Sequence, residues 1–140
     1  MFEGWSLSSL QTTYSNYCTR RDNAQNKIDY LEDLYDTLSE KKEYVSGYLF
    51  QLQEVAMTYQ YFTNSIGTVV ENIAGDCNPD GTDSTYSKLY DYYNALDNMM
   101  DTINDDLVDL RAEKRADILF LDDIADAIDA WWTSHENDSN

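Results

Sequence analysis

An apolar repeat with alternating steps of three and four residues runs through most of this chain, and it restricts the fold more than any other feature. It passes through Leu7, Leu10, Tyr14 and Tyr17, then Ala24, Ile28, Leu31, Tyr35 and Leu38, then Val45, Leu49, Leu52, Ala56 and Tyr59, and on to Ile66, Val70 and Ile73. Only Arg21, Lys42 and Thr63 interrupt it. It resumes at Tyr86, Leu89, Tyr93, Leu96, Met100, Ile103, Leu107 and Leu110, then Leu121, Ile124, Ile128 and Trp131, with Lys114 and Asp117 as its polar members. This spacing gathers side chains on one stripe of a helix, and such a stripe needs a second helix to cover it. Period-two alternation is absent, and the single proline, Pro79, falls between the two repeats. The expected fold is all-α: one elongated antiparallel helical hairpin domain over residues 1–140 with coiled-coil heptad seams.

The expected elements are a first helix at about 6–74, a turn at 75–84, a second helix at about 85–132 and a polar tail at 133–140. Ser84 or Thr85 supplies the cap of the second helix. Ser46-Gly47 is the one place where the first helix could kink, since glycine costs about 1 kcal/mol in a helix interior. The heptad phase nevertheless crosses Gly47 undisturbed. From Tyr48 onward the flank also turns apolar, at Tyr48, Val55, Phe62 and Val69, which implies more than one packing partner there.

A simple hairpin register places positions whose numbers add to about 159 opposite each other. Lys42 then faces Asp117, an opposed pair inside the seam that would set the register at some cost in stability, the alternative being that both side chains reach solvent. In this register the first helix is roughly 100 Å long and the second roughly 70 Å, so residues 6–27 have nothing opposite them. Leu7, Leu10, Tyr14 and Tyr17 would form an uncovered overhang, which makes them the expected partner-binding residues.

Composition narrows the function classes. The chain carries 27 Asp and Glu against 9 Lys and Arg, a net charge of −18. That balance opposes binding to nucleic acid or to an anionic membrane, both of which require Lys and Arg against phosphate. An aromatic content of 14% is too high for a disordered acidic segment. No stretch is apolar enough for a membrane helix, and MFEGWSLSSL lacks the basic start and apolar core of a secretory signal, so a cytoplasmic protein is expected. Cys18 and Cys77 have no metal-ligand spacing around them and are expected to be free thiols.

Motifs for chemistry are sparse. GDCNPDGTDSTYS begins like a calcium loop, with Asp76, Asn78 and Asp80 as alternate oxygen ligands and Gly81 at the sharp turn. The eighth and twelfth places hold Asp83 and Ser87 where an apolar residue and a bidentate Glu belong. The half-motif, with Pro79, therefore favours a structural turn over a calcium site, and no cofactor is expected. His135, the only histidine, lies in the polar tail, and no phosphate loop, zinc motif or hydrolase serine motif occurs, so no enzyme activity is expected. Asp97, Asp101, Asp105 and Asp109 form a ladder at steps of four, the pattern of a solvated face.

The stretch LSSLQTTYSNYCTRRDNAQNKIDYLEDLYDTLSEKKEYVSGY, opening an acidic helical chain of this size, resembles the small YwqH-like and WXG-like partner proteins of type VII secretion. The resemblance implies a helical hairpin that binds the helical N-terminal domain of an LXG toxin and helps present it for secretion. The family's Trp-x-Gly turn is missing, the nearest glycines being Gly67 and Gly81. Its export signal, an aromatic residue followed four places later by an acid, is represented by Trp132 and Glu136, while Tyr93 and Asp97 match the spacing in mid-helix. Trp131 and Trp132 could equally be an end plug packed near Ile28. The expected function is a non-enzymatic targeting factor or chaperone, co-secreted or retained, whose partner is an LXG toxin domain or a second small helical protein. Two alternatives stand beside it: an acidic mimic of nucleic acid, and a self-associating coiled coil such as a homodimer.

Overall fold

The computed structural model describes residues 1–66 and 84–136, and for residues 56 and 58–66 the backbone alone. Among the described residues the fold consists of two long helices, α1, Leu7–Ile66, and α2, Thr85–Ser134, packed against each other as a hairpin. Among the described residues there is no strand. α1 runs through Gly47 without a break, and a Cβ there would meet nothing within 4 Å, so the glycine faces outward. Ser6 caps α1, its hydroxyl accepting from the Ser9 amide at 3.1 Å. Ser84 caps α2 in the same way, accepting from the Ser87 amide at 3.0 Å. The expected polar tail begins later than residue 133, because Thr133 and Ser134 continue α2 and donate their hydroxyls to the Asp129 and Ala130 carbonyls. Most of the expected turn, with Cys77, Asp76, Asn78 and Asp80, lies outside the described residues.

The chain divides into two compact units, Met1–Glu32 with Asp105–Asn140, and Asp33–Asn104. In the first, Leu10, Ala24, Ile28, Leu107, Leu121 and Ile124 form the buried seam. Ahead of α1, Gly4 takes a positive φ of 77°, which glycine alone adopts without strain, and the Trp5 amide donates to the Phe2 carbonyl at 3.2 Å. That turn folds Phe2 back onto Phe120, at 5.6 Å between ring centroids, while Tyr17 meets Phe120 at 4.4 Å. Arg20 Nη2 lies 3.3 Å from Asp117 Oδ1, Lys114 donates to Gln25, and Arg111 donates to Glu32 at 3.0 Å.

These contacts correct the expected register. The pairs add to about 139 rather than about 159, close to three heptads away. Asp117 is therefore met by Arg20, not by Lys42. Residues 6–27 are not an overhang, because they face the end of α2, and Leu10 is only 2% exposed. Trp131 lines the same cleft as Leu10, Phe2 and Trp5 rather than packing near Ile28.

In the Asp33–Asn104 unit, Leu38, Val45, Leu49, Leu96, Met100 and Ile103 are buried. Lys42 Nζ donates to Asp97 Oδ1 at 2.6 Å and stands 5.0 Å from the centre of the Tyr93 ring. The hydrogen bond to Asp97 raises the Lys42 pKa above the ordinary lysine value, against a weaker opposing effect of burial. A raised pKa means that the stabilisation is complete below the ordinary value and is lost as pH rises through the folded-state value. The melting temperature of the wild type should exceed that of Asp97→Asn at neutral pH, by a small margin because the pair is partly exposed. The margin should shrink as pH rises past the ordinary lysine value and the raised Lys42 pKa is crossed. A margin unchanged there in thermal melts would show that the charge pair is not its source.

Candidate functional site

The structure disperses the sequence-predicted set. Leu10 is buried, Leu7 and Tyr17 are half-buried, and of the four only Tyr14 is exposed. Tyr17 is engaged by Phe120 on one side and by the Arg20 guanidinium, 4.7 Å from its ring centre. Trp132 is exposed, as is Glu136, while Trp131 is half-buried and stacks on His135 with ring centroids 3.9 Å apart. His135 Nδ1 lies 2.8 Å from the Trp131 carbonyl, which ties the ring to the end of α2. Cys18 is a free thiol. Among the described residues no three His, Cys, Asp or Glu side chains come together as a metal site, and no helix is long and apolar enough to cross a membrane.

A two-helix hairpin covers one stripe of each helix, so the flanks decide what the molecule can bind. Heptad positions a and d form the seam, with Lys42 and Leu49 at a and Val45 at d on α1, and Met100 and Leu107 at a and Ile103 at d on α2. In an antiparallel pair the e positions of the two helices share one side and the g positions share the other. The e side carries Glu32 to Arg111, both at e, and Lys42 to Asp97 at e, while Arg20 reaches Asp117 from a g position in the other unit.

The g side of the Asp33–Asn104 unit is different. Tyr48, Tyr92 and Met99 stand at g and Tyr44 stands at the neighbouring c, all of them exposed; Tyr44 is 71% and Tyr48 58% accessible. Their heptad spacing places them in rows beside the seam, so they form a strip rather than scattered surface residues. Tyrosine suits such a strip because its ring is apolar and its hydroxyl stays hydrated until a partner arrives. Within the other unit, Lys27, Tyr30, Leu31, Asp106, Asp109 and Leu110 line a groove of about 600 Å³ with a charged rim.

Sequence reasoning noted Tyr48 and Val55 as an apolar flank but did not separate the g side from the e side. It also missed Phe2, Trp5, Arg20 and Phe120. Phe120 falls at a g position, so a heptad wheel of α2 would have marked it as flanking the seam. Comparison with family models, with curated proteins and with solved structures finds no match to this chain.

Proposed function

We propose that this chain is a non-enzymatic binding protein whose client is another helical protein, in the manner of a targeting factor or chaperone for the helical N-terminal domain of an LXG-type toxin in type VII secretion. The observation that carries the reading is the uncovered strip of Tyr44, Tyr48, Tyr92 and Met99 beside the seam. Large apolar side chains in register along two adjacent helices are a surface on which a further helix gains contact area. The exposed Trp132 and Glu136 then serve as a recognition segment for export with the client from the cytoplasm.

The exposed carboxylates Asp101, Asp105 and Asp109 along α2 favour a second reading, an acidic mimic of nucleic acid. Salt separates the two. Titration of the purified chain with a purified LXG-type helical domain should give a complex of defined mass whose affinity falls by less than about tenfold from 0.1 to 1 M salt, the longer-range charge terms being screened. A mimic bound to a basic cleft should lose about a thousandfold or more over a smaller rise. No complex at all would remove the helical-client reading.

A further inference from the structure

Charge is segregated within the Asp33–Asn104 unit. Positions c and g of α1 from Leu34 to Val55, and of α2 from Thr85 to Thr102, hold no Asp or Glu, in a chain that has 27 of them. The only charges there are Lys41 and Lys88. The opposite side, at b and e, sets the exposed Phe50, Met57 and Tyr90 among the carboxylates Asp36, Glu43, Asp97 and Asp101. The f rows that border the strip on its outer edges carry the exposed Asp33, Glu40 and Asp91. A lane free of carboxylates, with Tyr44, Tyr48, Tyr92 and Met99 as its large exposed side chains and Lys41 and Lys88 as its only charges, therefore runs between two acidic borders.

We propose that this lane seats a single amphipathic helix of another protein, one whose apolar stripe is bordered by Lys or Arg. The inference rests on the reading that the client is helical, and it adds the face used and the chemistry recognised. The client's stripe lies over Tyr44, Tyr48, Tyr92 and Met99, which brings its own flanks level with the f-row carboxylates. Basic flanks are attracted there and acidic flanks are repelled, so the borders select the client and orient it. A second copy of this chain fits less well, because it would set acidic borders against acidic borders and bring together two molecules each of charge −18.

The test uses the full chain and a synthetic helical peptide of about four heptads with Leu at a and d and Lys at e and g, beside a twin with Glu at e and g. Calorimetry should show one Lys-flanked peptide bound per chain, with the Glu-flanked twin at least about tenfold weaker. Tyr48→Asp should weaken the Lys-flanked peptide by at least about tenfold, and Ser46→Asp, which adds the same charge at an exposed e position, by less than about twofold. Both substitutions fall on exposed residues, and circular dichroism confirms that the helices persist. Equal losses from the two variants would reduce the binding to general attraction and overturn the proposal, as would undiminished binding by Tyr48→Asp. Self-association of the chain that Tyr48→Asp abolishes would assign the lane to a second copy and overturn it as well. An LXG-type domain whose complex ignores Tyr48→Asp would sink the lane and leave the functional reading standing; binding of neither domain nor peptide would sink both.

Discussion

Truncating Ile124 to alanine is expected to destabilise the hairpin by about 3 kcal/mol, within the range of about 2–5 kcal/mol for removing a large aliphatic side chain from a core. Ile124 is 0% exposed at a d position of α2, in the unit that also buries Leu10 and Leu121. Two helices offer few neighbours that can move into the space, and the helical backbone holds the cavity walls apart. Against a total stability of about 5–15 kcal/mol for a domain of this kind the loss is large. Urea unfolding should show a lower midpoint with an unchanged slope, and the melting temperature should fall by about 10 °C. A loss below about 1 kcal/mol would mean that this part of the seam is loosely packed or solvated.

The second large effect concerns the buried carboxylate. Asp117 occupies a d position and is 3% exposed; its Oδ1 faces Arg20 at 3.3 Å, and its Oδ2 accepts no hydrogen bond from a described residue. Arg20→Ala leaves that charge buried without its counterion. The expected cost is about 2 kcal/mol, less than the about 3–5 kcal/mol for a fully buried pair, because Arg20 is itself half exposed. Asp117→Leu should do the opposite, being neutral or stabilising by about 1–3 kcal/mol, since it removes the desolvation cost and restores the apolar seam. In that background Arg20→Ala should have almost no further effect, and a double-mutant cycle by urea unfolding reads the coupling directly. If Arg20→Ala is silent in the wild type, or Asp117→Leu destabilises, the pair does not hold the place assigned to it.

The same residues explain what could and could not be read from the sequence. The 3–4 repeat specifies the helices, the single Gly/Pro/Asp segment between the repeats implies their antiparallel pairing, and Ser84-Thr85 offers the cap of the second helix, which Ser84 supplies, because each of these signals is local in the sequence. Register is different in kind. Sliding the two helices so that paired positions change their total by seven carries a onto a and d onto d, so the apolar pattern suits registers near 139 and near 159 about equally well. The choice falls to long-range pairs: Arg20 with Asp117, Lys42 with Asp97, and the cluster of Phe2, Tyr17 and Phe120. Arg20 stands at g, outside the seam, so Lys42 was the more visible counterpart for Asp117 in the sequence. The register near 139 also covers Leu7, Leu10 and Tyr17, which the other would leave in water, and burial favours it.

The binding surface moved for the same reason. Once residues 6–27 face the end of α2, Leu10 belongs to the core, and a charge placed there would unfold the protein rather than report on a partner. The candidate surface is instead the g side of the Asp33–Asn104 unit, where side chains that the heptad marks as flanking are exposed in rows. The heptad alone could not tell which flank stays apolar and open. That depends on the side on which the long-range Lys42–Asp97 link forms and on the exposure of Tyr44, Tyr48, Tyr92 and Met99 in the folded chain.

The central claim, that an apolar strip beside the seam receives a helical client, is tested most directly by an oxidative footprint of tyrosines in the full chain with and without an LXG-type helical domain. Tyr44, Tyr48 and Tyr92 should become protected in the complex, while Tyr90, exposed at an e position of the same unit, keeps its reactivity. Unchanged labelling of Tyr44, Tyr48 and Tyr92 in a complex whose formation is verified by mass would contradict the account.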